Sequence, residues 1–495
     1  MGKSMEVSIK YSGKTYAVPV SQETTTQSFK DAISQMTRVP SARMKVMLKG
    51  KLLKDDVDFV YLASQKPAIM VIGTAEALLE PPAQKTVFLE DMGDIEIPSG
   101  EEPTGLINLG NTCYLNSTLQ ALRALPDVHQ ALKQFTPAGS SPESRLTSSL
   151  KNLFVTIDNS AEATAPFELL NNLRILAPQF SERDSRGQFA QQDADEAWTC
   201  LVSALRSSLS SDQDTLLVDK LMSIELTKTL KCEETDEEPP STSTESVLKL
   251  ECNISGTTNF LMSGIQDSLN QQVEKASPVL GRDATYQMQS RISRLPEYLV
   301  VHMVRFYWRR DIQKKAKIMR KVKYPLQLDL YDIVTDELRT SIQPVNTATK
   351  QILKERDDRV KILKRKPREG AQEEEKKREE ERKNIEQLIR ESGAPEPKGY
   401  GSGVYELSGV YLVAHTVSRP YAYEANLAVV THKGASADSG HYIGWARMND
   451  DSLLPLEEQK WAKFDDQKVS FVDANKITSM DGGGEDSVAY ILVYR

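Results

Sequence analysis

Gly105-Leu106-Ile107-Asn108-Leu109-Gly110-Asn111-Thr112-Cys113-Tyr114-Leu115-Asn116-Ser117-Thr118-Leu119-Gln120-Ala121-Leu122 is the stretch on which the reading of this chain turns. After Cys113 the apolar residues Leu115, Leu119 and Leu122 recur at i, i+4 and i+7, which predicts a helix with one buried face. Asn111 or Thr112 can cap it. Cys113 then stands at the helix N-terminus, where unpaired N–H groups and the macrodipole favour an anion, and so favour thiolate over thiol. Asn108 lies upstream on a Gly-containing loop. Its amide is expected to point into the same space as the Cys113 backbone N–H, and the two together make an oxyanion hole. Taken alone, a cysteine before a helix is more readily a buried apolar residue, so the rest of the stretch has to decide.

The whole stretch resembles the cysteine box of the ubiquitin-specific proteases, matching the pattern Gly-Leu-x-Asn-x-Gly-x-Thr-Cys-x-x-Asn from Gly105 to Asn116. The resemblance implies an α+β, papain-like catalytic domain of thumb, palm and fingers over residues 104–495. It also implies hydrolysis by Cys113 of the isopeptide bond after the C-terminal glycine of ubiquitin.

A thiolate needs a base, and the chain has five histidines, at 129, 302, 415, 432 and 441. His441 stands in Asp438-Ser439-Gly440-His441-Tyr442-Ile443-Gly444-Trp445, where Gly440 is expected to let the backbone pass close to a substrate and the alternation after it predicts a strand. This resembles the family's Gly-His-Tyr box. His432 fits the upstream part of that box, where the family's histidine is structural, and His129, His302 and His415 are read as packing residues. The imidazole must be oriented by a third group. Asp465 and Asp466 follow Trp461-Ala462-Lys463-Phe464, and successive strand residues point to opposite faces, so at most one of them reaches His441. The family's Trp-x-x-Phe-Asp pattern puts the orienter at Asp465, with Asp438 as the rival.

Gln191-Gln192-Asp193-Ala194-Asp195-Glu196-Ala197-Trp198 opens a predicted helix and resembles another family motif, with Asp193 in the position that contacts the ubiquitin tail. That tail is basic and ends in two glycines, so its channel should be narrow and acidic. Gln192, Gly440 and Tyr442 are expected to line the channel with Asp193. Cys200, on the same helix, is expected in the core. The family's fingers often hold zinc through paired Cys-x-x-Cys motifs, but Cys232 and Cys252 stand singly here, so neither metal nor cofactor is expected.

The first 75 residues form a separate unit. Val7, Ile9 and Tyr11 alternate, a turn follows at Gly13-Lys14, and Tyr16, Val18 and Val20 make a second strand. Phe29, Ile33 and Met36 recur at helical spacing, Met44 to Leu48 reads as a strand, and Ala68 to Ile72 as the last one. This order, with Val46-Met47-Leu48-Lys49-Gly50-Lys51-Leu52, resembles ubiquitin and implies a β-grasp fold. The chain runs on as Gly73-Thr74-Ala75 without a terminal Gly-Gly, so the unit is expected to dock through an apolar sheet patch near Met47 and not to be conjugated. Residues 76–103 read as a linker, 234–247 as a mobile acidic loop, and 351–398 as a charged insertion, a solvated helix or disordered, with no chemistry of its own. A ubiquitin-like N-terminus joined to such a catalytic domain most resembles the proteasome-associated branch of the family. That implies docking on the proteasome regulatory particle, ubiquitinated proteins as substrates, and loops that block the free enzyme, for which the segment after Pro325 and the loop 433–440 are the candidates.

Composition fits this reading. A net charge of -8 offers no basic field for nucleic acid phosphates, and no segment has the apolar length of a bilayer span or a signal peptide. Gly2 lacks the Ser or Thr that myristoylation wants where Glu6 stands, and the sequons at Asn116 and Asn253 are read as coincidence. Four sparse cysteines suit a reducing compartment, so a soluble cytoplasmic and nuclear protein is expected. Two other readings compete: a silent ubiquitin-binding scaffold, against which the presence of Cys113, His441 and Asp465 counts, and the same chemistry on a different ubiquitin-like modifier.

Overall fold

A computed structural model describes residues 5–72, except 12–13, 23, 38, 40, 42–43, 49–50, 54–56 and 66–68. It also describes residues 103–495, except 138, 210–215, 310–313, 364–370, 393–401, 407–427, 437–438, 449–458 and 484–486. The expected linker, apart from Pro103, therefore lies outside the described residues, as do His415 and Asp438. The chain divides into two compact units, 1–89 and 90–495.

In the first unit the hairpin β1 (Met5–Tyr11) and β2 (Lys14–Val20) is followed by α1 (Thr26–Thr37), β3 (Lys45–Leu48), β4 (Lys51–Leu52), α2 (Phe59–Gln65) and β5 (Ile69–Ile72). The sheet order is β2-β1-β5-β3-β4, with β1 and β5 parallel. Val7, Ile9, Val18, Val46, Ile69 and Val71 close over Phe29 and Ile33 of α1, and the Phe29 ring lies 4.7 Å from that of Phe59. Met36 was expected on the buried face but is exposed; the helix buries Thr37 instead, whose hydroxyl is satisfied by the Ile33 carbonyl. Helix α2 is too short to announce itself by periodicity. The Asp58 carboxylate starts it by accepting from the N–H groups of Val60 and Tyr61. On the other sheet face Met47 stands opposite both Leu52 and Met70, and the latter two are more than half exposed.

The second unit opens with helices α3 (Cys113–Arg123), α4 (Pro126–Gln134), α5 (Pro142–Asn159), α6 (Phe167–Leu176), α7 (Ala194–Ser208) and α8 (Leu217–Met222). These form the thumb. Then come β6 (Ile224–Cys232), β7 (Ser241–Val247), β8 (Leu250–Asn253), α9 (Leu261–Leu269), β9 (Asn270–Ser277), β10 (Arg282–Arg294), β11 (Leu299–Val304) and the hairpin β12 (Phe306–Arg309) and β13 (Lys314–Lys317). After β14 (Gln327–Asp329), α10 (Asp336–Leu363), α11 (Ala371–Glu391) and β15 (Val404–Glu406), the chain ends with β16 (Ala428–Ser436), β17 (Ser439–Arg447), β18 (Lys460–Asp465), β19 (Lys468–Asp473), α12 (Ala474–Ser479) and β20 (Val488–Tyr494).

The palm is a seven-stranded sheet, β19-β18-β17-β16-β20-β11-β8. All seven residues of β20 are buried, because one face of the sheet meets the thumb helices and the other meets α9, α10 and α12. Leu115, Leu119 and Leu122 of α3 lie in the first of these cores. Helix α3 crosses β17 so closely that a Cβ on Gly444 would stand 3.0 Å from the Ser117 carbonyl oxygen. That contact seats the helix carrying Cys113 on the strand carrying His441.

The fingers are a second sheet, β7-β6-β10-β9. The stretch 234–247, expected to be a mobile loop, includes β7, which pairs with β6 from Ser241 to Val247. Its acids have partners on the β9–β10 hairpin: Glu238 accepts from the hydroxyls of Tyr286 and Ser277, and Glu234 from Arg282 and the Thr285 N–H. Cys232 packs with Ala284 and Tyr286 at the fingertip. Cys252 is buried in the palm, where burial pushes its thiol up to about 12, so the two cysteines belong to different clusters.

The charged insertion is helical where described. Helix α10 begins at Asp336, upstream of the expected boundary, and buries Leu338, Ile342 and Val345 before its charged part pairs with α11. Arg356 meets Glu381 at 2.7 Å, and Arg359 meets Glu374 at 2.8 Å and Glu381 at 2.5 Å. The segment after Pro325 is not a free loop, because β14 pairs with β15. The hairpin that lies against the β16 strand is instead β12–β13, fixed by the buried Lys317, whose Nζ donates to the His432 carbonyl at 2.7 Å.

Candidate active site

Cys113 is the first residue of α3 and is buried. The loop before it turns through two left-handed residues, Gly110 (φ 95°) and Asn111 (φ 54°). Neither expected capping side chain caps the helix. Thr112 Oγ1 accepts from the Leu109 N–H at 2.8 Å, and Asn111 Nδ2 donates to the Phe189 carbonyl at 3.0 Å. The first-turn N–H groups therefore face the nucleophile's surroundings without a side-chain oxygen from the cap residue.

Asn108 is held by both ends of its carboxamide. Its Oδ1 accepts from the N–H groups of Gly110 and Thr112, and its Nδ2 donates to Asp466 Oδ2 at 2.8 Å. Its carboxamide oxygen builds the loop, and one of its two amide hydrogens is directed at Asp466. Asp466 (φ 54°) also accepts from Asn116 Nδ2 at 2.8 Å, and its carbonyl accepts from the Leu106 N–H. Gly105 has no side chain for a related reason: a Cβ there would lie 2.6 Å from the Asp466 carbonyl oxygen. The turn after β18 is thus stitched to the cysteine loop.

At the end of β18, Asp465 Oδ1 lies 2.5 Å from His441 Nε2. Hydrogen bonds with Asp465 and with Cys113 push the His441 imidazole up to about 10 against the opposing effect of burial. Burial works to raise the Asp465 carboxyl, but the His441 hydrogen bond and charge, with Lys463 and Lys468, hold it below the usual carboxylate range. Cys113, His441 and Asp465 are thereby one hydrogen-bonded line. Donor atoms of His441, Asp465 and Asp466 also lie within 4.8 Å of one another, yet both Asp466 carboxylate oxygens already accept from asparagine amides.

Gly440 does approach something closely, but that neighbour is the protein itself: a Cβ would stand 2.3 Å from the Lys433 carbonyl oxygen and 2.5 Å from His432 Nε2. Tyr442 was expected to line the tail channel and is a core residue. Alternation along β17 leaves His441 half-buried and turns Tyr442 inward, 4.7 Å from the His432 ring and 5.9 Å from Tyr490. Asp193 caps α7, accepting from the Asp195 N–H at 2.9 Å, and both its oxygens accept from the Tyr490 hydroxyl at 2.7 and 2.8 Å. Gln192 beside it is half-buried. Gln191 points its Nε2 at Cys113 Sγ across 3.9 Å.

Residues 104–494 match the ubiquitin carboxyl-terminal hydrolase family. The chain belongs to that family. Residues 7–62 match the ubiquitin family. Among relatives of this hydrolase, "Ubiquitin carboxyl-terminal hydrolase 6" of Schizosaccharomyces pombe is 38% identical over 99% of this chain and 98% of its own. The protein of the same name from Arabidopsis thaliana is 36% identical over 94% and 93% of the two chains. "Ubiquitin carboxyl-terminal hydrolase 14" of Caenorhabditis elegans is 29% identical over 99% and 92%.

Sequence reasoning passed over three residues around this hydrolase's site, Gln191, Asn116 and Tyr490, and weighed Asp466 only as an orienter of His441. Gln191 and Asn116 stood inside motifs already singled out, and their amides were the signal. Nothing in the local pattern around Tyr490 marks it, since a buried strand of seven apolar or aromatic residues reads as core.

Proposed function

We propose that this cysteine-type deubiquitinase uses Cys113 as nucleophile, His441 as acid and base, and Asp465 as the group that orients His441. The proposed substrate bond is the isopeptide after the C-terminal glycine of ubiquitin. The thiolate attacks the carbonyl carbon, His441 delivers its proton to the departing lysine amine, and water then releases ubiquitin from the thioester. The hydrogen-bonded line from Cys113 through His441 to Asp465 carries this reading. Asp193 and Gln192, before α7, are the proposed acidic and polar wall for the basic tail.

The ubiquitin-like unit is the proposed dock onto the proteasome regulatory particle, through the face bearing Met47, Leu52 and Met70. Leu52 and Met70, each more than half exposed, flank Met47 on the two neighbouring strands, and this apolar row supports it. Work on arriving ubiquitinated proteins in cytoplasm and nucleus follows. The test is hydrolysis of a ubiquitin C-terminal fluorogenic amide with and without added proteasomes, using Cys113→Ser as control. Activity that needs Cys113 and rises with proteasomes is expected; no Cys113-dependent signal in either condition overturns the reading.

A further inference from the structure

A basic tail that ends in two glycines puts a cation about 7 Å from the scissile carbonyl, two extended residues out. The start of α7 lies at that reach from the nucleophile. Gln191 directs its Nε2 at Cys113 Sγ across 3.9 Å, and Asp193 follows it by two residues.

Two aspartates open this helix, and they are held by opposite kinds of partner. Lys249 Nζ meets Asp195 Oδ1 at 2.6 Å and Oδ2 at 2.5 Å, so a full positive charge cancels that acid. Asp193 accepts from the Asp195 N–H at 2.9 Å and, with both oxygens, from the Tyr490 hydroxyl at 2.7 and 2.8 Å. These donors are neutral, and no cation pairs with Asp193 among the described residues. The His302 imidazole, 3.7 Å from Asp195, is pushed down by burial and brings no charge either. Asp193 is half-buried, and two donors do not fill the roughly four lone-pair positions of a carboxylate.

We propose that Tyr490 is a positioning residue for the substrate tail: its hydroxyl orients the Asp193 carboxylate without cancelling its charge, so that Asp193, and not Asp195, reads the basic residue before the two glycines. This rests on the deubiquitinase reading above. Tyr490 is suited to the task because packing fixes it. It is buried on β20, with the rings of His302, Phe306 and Tyr442 at 5.0, 5.3 and 5.9 Å from its own. Burial, and then the Asp193 charge, push the phenol well above its ordinary value, so the hydroxyl keeps the proton that it donates. A lysine in its place would orient Asp193 and neutralise it.

The test uses the full chain and two substrates: the ubiquitin C-terminal fluorogenic amide, and the same amide with glutamine for the basic residue before its two glycines. Tyr490→Phe keeps the ring and removes the donor. It should raise KM for the native tail about 10-fold with kcat little changed, and raise KM for the neutral tail no more than a few-fold. Asp193→Asn should show the same pattern, and adding Tyr490→Phe to it should change little further. Lys249→Met combined with Asp195→Asn removes both charges of that pair together and should leave KM for the native tail within a few-fold. Unchanged KM in Tyr490→Phe, a loss confined to kcat, an equal rise on the two tails, or a rise in the Lys249→Met, Asp195→Asn chain as large as in Asp193→Asn would each overturn the proposal. A parent chain that does not cleave the ubiquitin amide would instead overturn the deubiquitinase reading on which it rests.

Discussion

Two histidines lie side by side on neighbouring palm strands, His432 opposite Tyr442 and His441 opposite Lys433, and their surroundings drive them in opposite directions. Around His432 there is burial first, then the charges of Lys317 and His441, and rings of Phe306 and Tyr442 at 5.0 and 4.7 Å; neither ring nitrogen has a hydrogen-bond partner among the described residues. The imidazole is pushed down to about 3. His441, half-buried, has a carboxylate and a thiol as partners and is pushed up to about 10. Nearness to the nucleophile does not make a base. What decides is whether a ring nitrogen meets an acceptor or only other rings and like charge.

The pair also brackets stability in pH. The raised His441 contributes stability that is present below about pH 6.5, its unfolded value, and is lost as pH rises toward about 10. The depressed His432 contributes stability present above about 6.5 and lost as pH falls toward about 3.

Asp465→Asn strikes the His441 side hardest. It keeps the shape but removes the charge that holds the imidazolium, so kcat should fall on the order of 10²- to 10⁴-fold. His441 should move back toward its ordinary value, and the loss of stability between pH 6.5 and 10 should become shallower than in the parent. Steady-state kinetics and melting temperatures across that range check both. Unchanged kcat with an unchanged alkaline arm would remove Asp465 from the site and return the rival, Asp438, to consideration.

Much of this corner was legible in the sequence because short motifs with one chemical purpose occupy it. The helix after Cys113 came from the spacing of three leucines, and the choice of Asp465 over Asp466 came from the Trp-x-x-Phe-Asp resemblance; strand alternation does not separate the two, because Asp466 lies past the end of β18 with a left-handed backbone. What was not legible lies in contacts between motifs. That Asn108 is tied to Asp466, distant in sequence, shows only in the folded chain. Tyr442 reads as a channel residue until the β16–β17 register turns it inward. The stretch 234–247 reads as a loop because its composition is acidic and hydroxyl-rich; pairing with β6 and the acceptor roles of Glu234 and Glu238 overrode composition. In the ubiquitin-like unit, local spacing found α1 but not α2, whose seven residues are too few for a period to show.

His432→Phe breaks the other half of the comparison. The new ring suits its aromatic neighbours and cannot titrate, although its greater size costs about 1–3 kcal/mol of overall stability. The informative quantity is the slope. Between pH 6.5 and 3 the variant should lose less stability than the parent, while its alkaline arm stays parallel to the parent's. Equal acid arms would mean that His432 is not the neutral buried group described here.

Lys317→Met should have the smallest effect. The side chain packs where the lysine stem did, and what disappears is one positive charge and the donor to the His432 carbonyl. Burial, the largest cause of the His432 shift, remains, so the imidazole should rise only part of the way back. The acid arm should lie between those of the parent and His432→Phe, a displacement readable by melting at several pH values in one buffer series. An acid arm no different from the parent's would mean that the Lys317 charge is screened from the ring, leaving burial and His441 to keep His432 neutral.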